Sequence, residues 1–401
     1  MSGSVVGESM DAAASDYLDA AEILSRAKRT SAALREHAVE IEQNRQLPQT
    51  VVELLRGTGV FRMAMPKTWG GPELTSVQQT EVIEALATGD ASAAWCAMIG
   101  ADSGIYSGYL QDSVAREMFP SLDMVVAGFV NPIGRAERVP GGYLISGRWP
   151  FGSGVTHCDW LAAGCLVYRD GELEPDTDGD PTQWRVMMAR PSDFEIHDTW
   201  HTTGLAGTGS RDYSVSELFV PEEHSFSFAI PHREGLLHRA PDAIVRKMPG
   251  VPLGVARAAL DYVRSMAATR VDRTTGKPWA ESYRVQMTIA EAEMDLAAAR
   301  SAVFASLERQ WHGLADAEPQ TADERVSTAL ARHKAFQTAR SIVVQLFNLV
   351  GGSAIYRPSP LDRWLRDVNT MCQHADAGVQ SLQSAGELLL GGNVPQKTLL
   401  W

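Results

Sequence analysis

Gly141-Gly142-Tyr143-Leu144-Ile145-Ser146-Gly147-Arg148-Trp149-Pro150-Phe151-Gly152-Ser153-Gly154 is the stretch whose reading decides how this chain is organised. Gly142–Ser146 reads as a short strand bounded by glycine, and the same texture extends in both directions. Short β-rich runs at Met124–Val130, Trp160–Tyr168, Arg185–Ala189 and Tyr213–Val220 are separated by Gly, Pro and Asp. The insert Gly171–Pro181 is acidic and rich in Gly and Pro, so it reads as a solvated hairpin tip or loop whose charges serve solubility.

Outside this β stretch the periodicity changes. Apolar residues recur at three- and four-residue intervals through Ala21–Val39 and Val51–Phe61, which predicts helices. A Pro/Gly-rich loop follows at Met65–Pro72, then helices over Ser76–Thr88 and Ala93–Leu110, the latter capped by Asp90 and Ser92. After Pro231, helical stripes return over Val251–Ala268, Tyr283–Glu308 and Asp323–Leu349, with Gly351-Gly352 stopping the longest and a last helix starting near Leu361. The expected fold is mainly α with a central β module. It divides into an N-terminal helical domain (1–122), a middle β-barrel-like domain (123–228) and a C-terminal four-helix bundle (229–401).

Composition narrows the function classes. At 401 residues the chain exceeds what one core usually organises, and 44% apolar residues exclude a mostly disordered protein. Lys and Arg number 36 against 49 Asp and Glu, a formal charge of −13. With no basic run to offset that charge, no nucleic-acid partner is expected. Cys96, Cys158, Cys165 and Cys372 show no CxxC spacing, so reduced thiols and no metal are expected. The opening MSGSVVGESMDAAASDYLDAAEIL lacks the apolar core of a signal peptide, and no run reaches the ~18–20 apolar residues of a membrane span. The expectation is a soluble cytoplasmic protein with no membrane partner.

Three motifs, in order, carry a family resemblance. They are Met65-Pro66-Lys67-Thr68-Trp69-Gly70-Gly71, then Gly204-Leu205-Ala206-Gly207-Thr208-Gly209-Ser210 followed by Leu218-Phe219-Val220-Pro221, and Arg366-Asp367. Together with the helix–β–helix order, they make the chain resemble the acyl-CoA dehydrogenase superfamily from about Val51 to Leu390. One branch dehydrogenates acyl thioesters; another hydroxylates small, often aromatic, molecules with reduced flavin and oxygen. The stretch Ala127-Gly128-Phe129-Val130-Asn131-Pro132 lacks the dehydrogenases' Gly-Ser-Asp. The run quoted at the outset, followed by Cys158-Asp159-Trp160, is similar to flavin-dependent hydroxylases of the 4-hydroxyphenylacetate and hydroxysteroid-ring type.

The C-terminal segment sharpens the choice. Removing a proton next to a thioester needs a carboxylate, which the dehydrogenase pattern commonly places eight residues after the Asp of Arg-Asp. Counting from Asp367 reaches Ala375, with His374 just before it and Asp376 just after. The resemblance therefore implies His374 as the acid/base group acting on the substrate, and Ser153 as the hydroxyl at the flavin edge. It also implies Phe129, Asn131 and Phe151 beside the flavin, with a place in the β core as the lesser reading of Trp149, Phe151 and Trp160. Gln345, Gly351 and Gly352 are implied at the flavin's phosphate or adenine side across a subunit boundary, with Arg273 as the flavin-contacting arginine and Arg270 and Arg284 as its competitors. Trp95 and Asp102 stand where the branch often faces its substrate, with no histidine in that stretch.

No GxGxxG opens a strand–helix unit, so a separate NAD(P)H:flavin reductase is the implied partner. The implied cofactors are reduced FMN or FAD and O2, with oxygen passing to a small substrate through a flavin C4a-hydroperoxide. Long Ala-rich helices point to a symmetric partner, and the resemblance implies a homotetramer. Two other readings stay open here. One is an acyl-CoA dehydrogenase or flavin oxidase with a relocated base, Asp376 first among candidates; the other is a non-catalytic scaffold.

Overall fold

The computed structural model describes residues 17–175, 184–316, 321–357 and 359–392, and its elements keep the helix–sheet–helix order. Before the sheet lie α1 (Ala20–Asn44), α2 (Gln49–Thr58), α3 (Ser76–Ala87), α4 (Ala91–Gly100), α5 (Ser103–Tyr106) and α6 (Asp112–Met118). Caps fix their starts. Asp19 accepts the Glu22 N–H at 2.8 Å, Thr75 and Gln78 form a reciprocal capping box, and Asp90 accepts the Ala93 N–H at 2.9 Å. The helix expected over Ala93–Leu110 is in fact two, α4 and α5, broken at Ala101–Asp102. Gly100 and Gly104 favour the break as poor helix formers, and each lies close against another segment. A Cβ at Gly100 would sit 2.7 Å from the Phe61 ring, and one at Gly104 would sit 2.3 Å from the Ala64 carbonyl carbon.

Among the described residues all strands fall between residues 126 and 226: β1 (Val126–Val139), β2 (Gly142–Gly152), β3 (Trp160–Arg169), β4 (Glu172–Leu173), β5 (Trp184–Ala189), β6 (Glu195–His197), β7 (Arg211–Pro221) and β8 (Ser225–Phe226). Their order is β6-β7-β2-β1-β3-β5-β8, with β4 hairpinned on β3; β1 and β3 run parallel and the other pairs antiparallel. The expected barrel-like closure does not occur. The terminal strands β6 and β8 have only 3 and 2 residues, too little ladder to join the edges. Of the insert Gly171–Pro181, residues 176–181 lie outside the described residues.

β1 outruns the strand read from sequence because it carries a bulge. Its register against β3 shifts between Phe129 and Gly134. Gly164 makes room: a Cβ there would lie 2.2 Å from the Val130 carbonyl oxygen. The Tyr213 hydroxyl pins the bulge's edge, accepting the Phe129 N–H at 2.7 Å and donating to the Ala162 carbonyl at 2.5 Å. Trp149 stacks on Tyr213 with ring centres 5.5 Å apart, and its Nε1–H donates to the Gly164 carbonyl at 2.8 Å.

After the sheet come α7 (Ala243–Arg246), α8 (Gly250–Thr269), α9 (Tyr283–Ala315), α10 (Ala322–Val350), α11 (Pro360–Met371) and α12 (Val379–Leu389). α10 packs against α8, α9, α11 and α12, and α8 packs against α3. The α3–α8 crossing is close because Gly254 has no side chain; a Cβ there would lie 2.3 Å from the Glu84 carbonyl oxygen. One apolar core therefore runs from Ile23, Leu34 and Leu86 to Leu253, Phe336 and Trp364, joining the two helical parts of the chain. The sheet has its own layer around Tyr143, Trp149 and Tyr213. Among the described residues no helix is long and apolar enough to cross a membrane.

Candidate active site

A cavity of about 580 Å³ opens where the sheet meets both helical parts. α4 contributes Trp95 and Ile99, with Asp102 just past its end; the i, i+4, i+7 spacing puts all three on one face. The β1 bulge contributes Phe129, Val130 and Asn131, and the end of β2 contributes Phe151 and Ser153. The loop before β7 adds Trp200, Thr202, Leu205 and Ser210, and the segment after α11 adds Gln373, His374 and Ala375. Of the residues expected at the site, Trp95, Asp102, Phe129, Asn131, Phe151, Ser153 and His374 thus converge on one space. Trp149 and Trp160 are core aromatics, buried away from it.

His374 is one-third exposed and meets Trp95 edge to face, ring centres 5.7 Å apart. Its Nδ1 lies 3.2 Å from Asp376 Oδ2 and 3.3 Å from the Asp376 backbone nitrogen. Asp376 itself is fully buried, 2.8 Å from Arg332 Nε. Burial opposes its charge, but Arg332 and His374 outweigh burial and hold its carboxyl below the ordinary range. Asp376 therefore does not line the cavity. The relocated-base alternative fails at this residue, because a carboxylate sealed behind a histidine cannot reach a substrate carbon.

At the other end of the α4 stripe, Asp102 pairs with Lys247, both almost fully buried. Burial pushes the Asp102 carboxyl up to about 6 despite the ammonium beside it. Nothing in the sequence marks Lys247 as its partner, since the two are 145 positions apart.

The loop from Asp198 to Arg211 is tied down on several sides. Arg45 grips Asp198 through two hydrogen bonds of 2.9 and 2.8 Å, and Arg211 donates to Gln46 Oε1 at 3.1 Å. Arg366 reaches both Glu42 and the Thr203 carbonyl, at 2.5 and 2.7 Å. Asp367 Oδ1 accepts the Leu205 N–H at 2.7 Å, which holds Leu205 in a left-handed conformation (φ 49°). Burial, reinforced by the charge of Asp90, pushes the Asp367 carboxyl up to about 7. Motif reading singled out this loop without foreseeing that Trp200, Leu205 and Ser210 line the cavity.

The remaining expected residues sit elsewhere. Gly351 and Gly352 are exposed at the C-terminal end of α10, where the Gly351 N–H donates to the Phe347 carbonyl. Gln345 lies nearly two turns earlier, its buried Oε1 without a partner. Arg270 and Arg284 reach this same end, donating to the Val350 and Asn348 carbonyls at 3.4 and 3.3 Å. Arg273 is exposed on the neighbouring turn and lines no part of the cavity.

Comparison with known proteins gives consistent matches. Residues 20–114 match the family description "Acyl-CoA dehydrogenase, N-terminal domain", and residues 249–378 match "Acyl-CoA dehydrogenase, C-terminal domain". The chain is 31% identical over 359 residues to indole-3-acetate monooxygenase of Pseudomonas putida, covering 88% of this chain and 89% of that one. It is 26% identical to the flavin-dependent monooxygenase oxygenase subunit HsaA of Rhodococcus jostii, covering 85% and 91%. Its fold matches that of XiaF from a Streptomyces species in complex with FADH2 and glycerol, with a TM-score of 0.85, 24% identity, and coverage of 94% and 97%.

Proposed function

This chain belongs to the acyl-CoA dehydrogenase superfamily, on its flavin-dependent monooxygenase branch, and from that premise we propose that it is the oxygenase component of a two-component enzyme. It inserts one oxygen atom of O2 into a small aromatic substrate, using reduced FMN or FAD from a separate NAD(P)H:flavin reductase. The observation that carries this reading is at the end of α11. His374 opens on the cavity, whereas the adjacent carboxylate is sealed behind it against Arg332.

The cavity suits a flat ring. Phe151 is held in a left-handed backbone conformation (φ 60°) and stays 57% exposed, with Phe129 and Trp200 ring centres 6.1 and 6.3 Å away. A strained, exposed aromatic beside two others is a wall awaiting a planar partner. These three residues would bear on the flavin ring, with Ser153 and Asn131 at its polar edge. Bound reduced flavin supplies the activation of O2. The chain's own residues do the rest. Aromatic walls exclude water, and His374 takes a proton from a substrate hydroxyl or ring N–H, which raises the ring's nucleophilicity. Asp376, backed by Arg332, holds the imidazole in place.

The α4 stripe sets the substrate's size and polarity. Seven residues separate Trp95, against His374, from Asp102, a rise of roughly 10 Å at 1.5 Å per residue. A one- or two-ring aromatic with polar groups at both ends fits that span, one end at His374 and the other accepted by Asp102. The Gly351-Gly352 end, with Gln345, Arg270 and Arg284, faces the phosphate or adenine side of a flavin bound to a neighbouring copy. The working form is then a cytoplasmic homotetramer.

The test is oxygen uptake by the full chain with a generic flavin reductase and a panel of phenols, indoles and thioesters, products read by mass. Substrate-dependent gain of one oxygen atom supports the reading. Flavin bleaching by an acyl thioester without oxygen overturns it.

A further inference from the structure

Three hydroxyls run from the cavity wall to a single backbone carbonyl, and their proton order is fixed by that end. Thr208 Oγ1 lies 2.8 Å from the Leu205 carbonyl oxygen, which can only accept. Each hydroxyl has one proton to give. Thr208 spends its proton on Leu205, so its 2.6 Å contact with Ser210 requires Ser210 to donate. Ser210 is then spent, so its 2.7 Å contact with Ser153 requires Ser153 to donate.

Turning the chain round would leave two oxygens 2.8 Å apart with no proton between them, in a site where Thr208, Ser210 and Ser153 are 1%, 3% and 7% exposed. The anchor is firm. The same Leu205 oxygen accepts from Trp200 Nε1–H at 3.0 Å and from the Thr208 N–H at 3.1 Å. Ser153 therefore meets the cavity with lone pairs alone.

We propose that this one-way chain makes the site select reduced over oxidised flavin, with Ser210 and Thr208 as positioning residues acting through Ser153. The inference rests on the functional reading above, which puts Ser153 at the flavin's polar edge. The reduced ring carries a proton on N5 and can donate to Ser153; the oxidised ring presents a lone pair there. Oxidised flavin must either face lone pair with lone pair or turn the chain over and lose the Thr208–Leu205 bond. One hydrogen bond is forfeited in each case, worth roughly ten-fold in affinity. A site so arranged takes the reduced ring from the reductase and releases the oxidised ring after turnover.

The experiment is equilibrium binding of FMN and FAD to the full chain, oxidised in air and dithionite-reduced without oxygen, together with the midpoint potential of the bound flavin. Ser210→Ala frees the Ser153 proton to turn into the cavity. Oxidised flavin should then bind more tightly, the preference for the reduced form should shrink about ten-fold, and the potential should fall correspondingly. Thr208→Val, close to isosteric, should act in the same direction by letting Ser210 donate to Ser153. If both variants bind flavin with the wild-type ratio to within about two-fold, the proposal is wrong. A wild type that binds both forms equally overturns this inference alone. A wild type that binds neither form overturns the functional reading, and this inference with it.

Discussion

Ala375 occupies the place where thioester chemistry would need a carboxylate, and its neighbour Asp376 is committed to Arg332, which is why His374 is the group proposed for acid–base work at this end of the cavity. His374→Ala should leave the unfolding midpoint and reduced-flavin binding close to wild type. Product formation should fall by ~10²–10⁴-fold, the usual worth of one positioned acid–base group, and hydrogen peroxide release should rise as product falls. Coupled product and peroxide assays check this, and full product yield would reduce His374 to a structural residue. Phe151→Ala tests the opposite wall. The side chain is 57% exposed and its backbone strained, so its loss should leave stability nearly unchanged. Reduced-flavin affinity, measured by anaerobic titration, should weaken by roughly ten-fold or more, as expected for a lost aromatic contact of about 1.5 kcal/mol. His374, Ser153 and Phe151 were legible in the sequence because short motifs hold them. Lys247 behind Asp102, and Arg332 behind Asp376, were not, since nothing local specifies which cation meets a buried acid from a distant helix.

The helices were legible as elements because a 3.6-residue apolar period is written along each one, as in α8, α9 and α10. The break between α4 and α5, the β1 bulge and the open edges of the sheet were not. Each depends on what another segment does: Phe61 against Gly100, Gly164 beneath Val130, and the shortness of β6 and β8. Element contacts also yield stability tests. Gly254→Ala puts a methyl 2.3 Å from the Glu84 carbonyl oxygen, so α3 and α8 must part. That should cost roughly 1–3 kcal/mol in denaturant unfolding. α11 gives a pH test through Asp367, whose carboxyl burial and Asp90 push up to about 7. An acid raised in the fold binds more protons folded than unfolded between the two pKa values. Its contribution is therefore complete below the unfolded value near 4 and is lost as pH rises toward 7, by at most about 1.4 kcal/mol per pH unit. Asp102, raised by burial to about 6, works in the same direction. His157 and His238, which burial lowers to about 4, work in the opposite direction below about pH 6.5, so the test is a difference: from pH 5 to 8 the wild-type unfolding midpoint should fall relative to that of Asp367→Asn.

On the molecular surface, Tyr283, Met294, Tyr356, Val379 and Leu390 are 76%, 65%, 68%, 73% and 90% exposed, all in the C-terminal helical part. Apolar side chains gathered on one part of a chain are usually covered by a symmetric partner. Light scattering should accordingly give a tetramer at micromolar concentration. A stable monomer would count against the assembly and against placing Gly351 and Gly352 at a neighbour's flavin. The ties on the loop from Asp198 to Arg211 have a different consequence. Arg45 and Gln46 hold it from one end of the sequence, and Arg366 and Asp367 from the other. The loop acts as a keystone that is seated only when both flanks are in place. A nascent or half-unfolded chain, lacking one flank, thus lacks the wall that Trp200, Leu205 and Ser210 give the cavity.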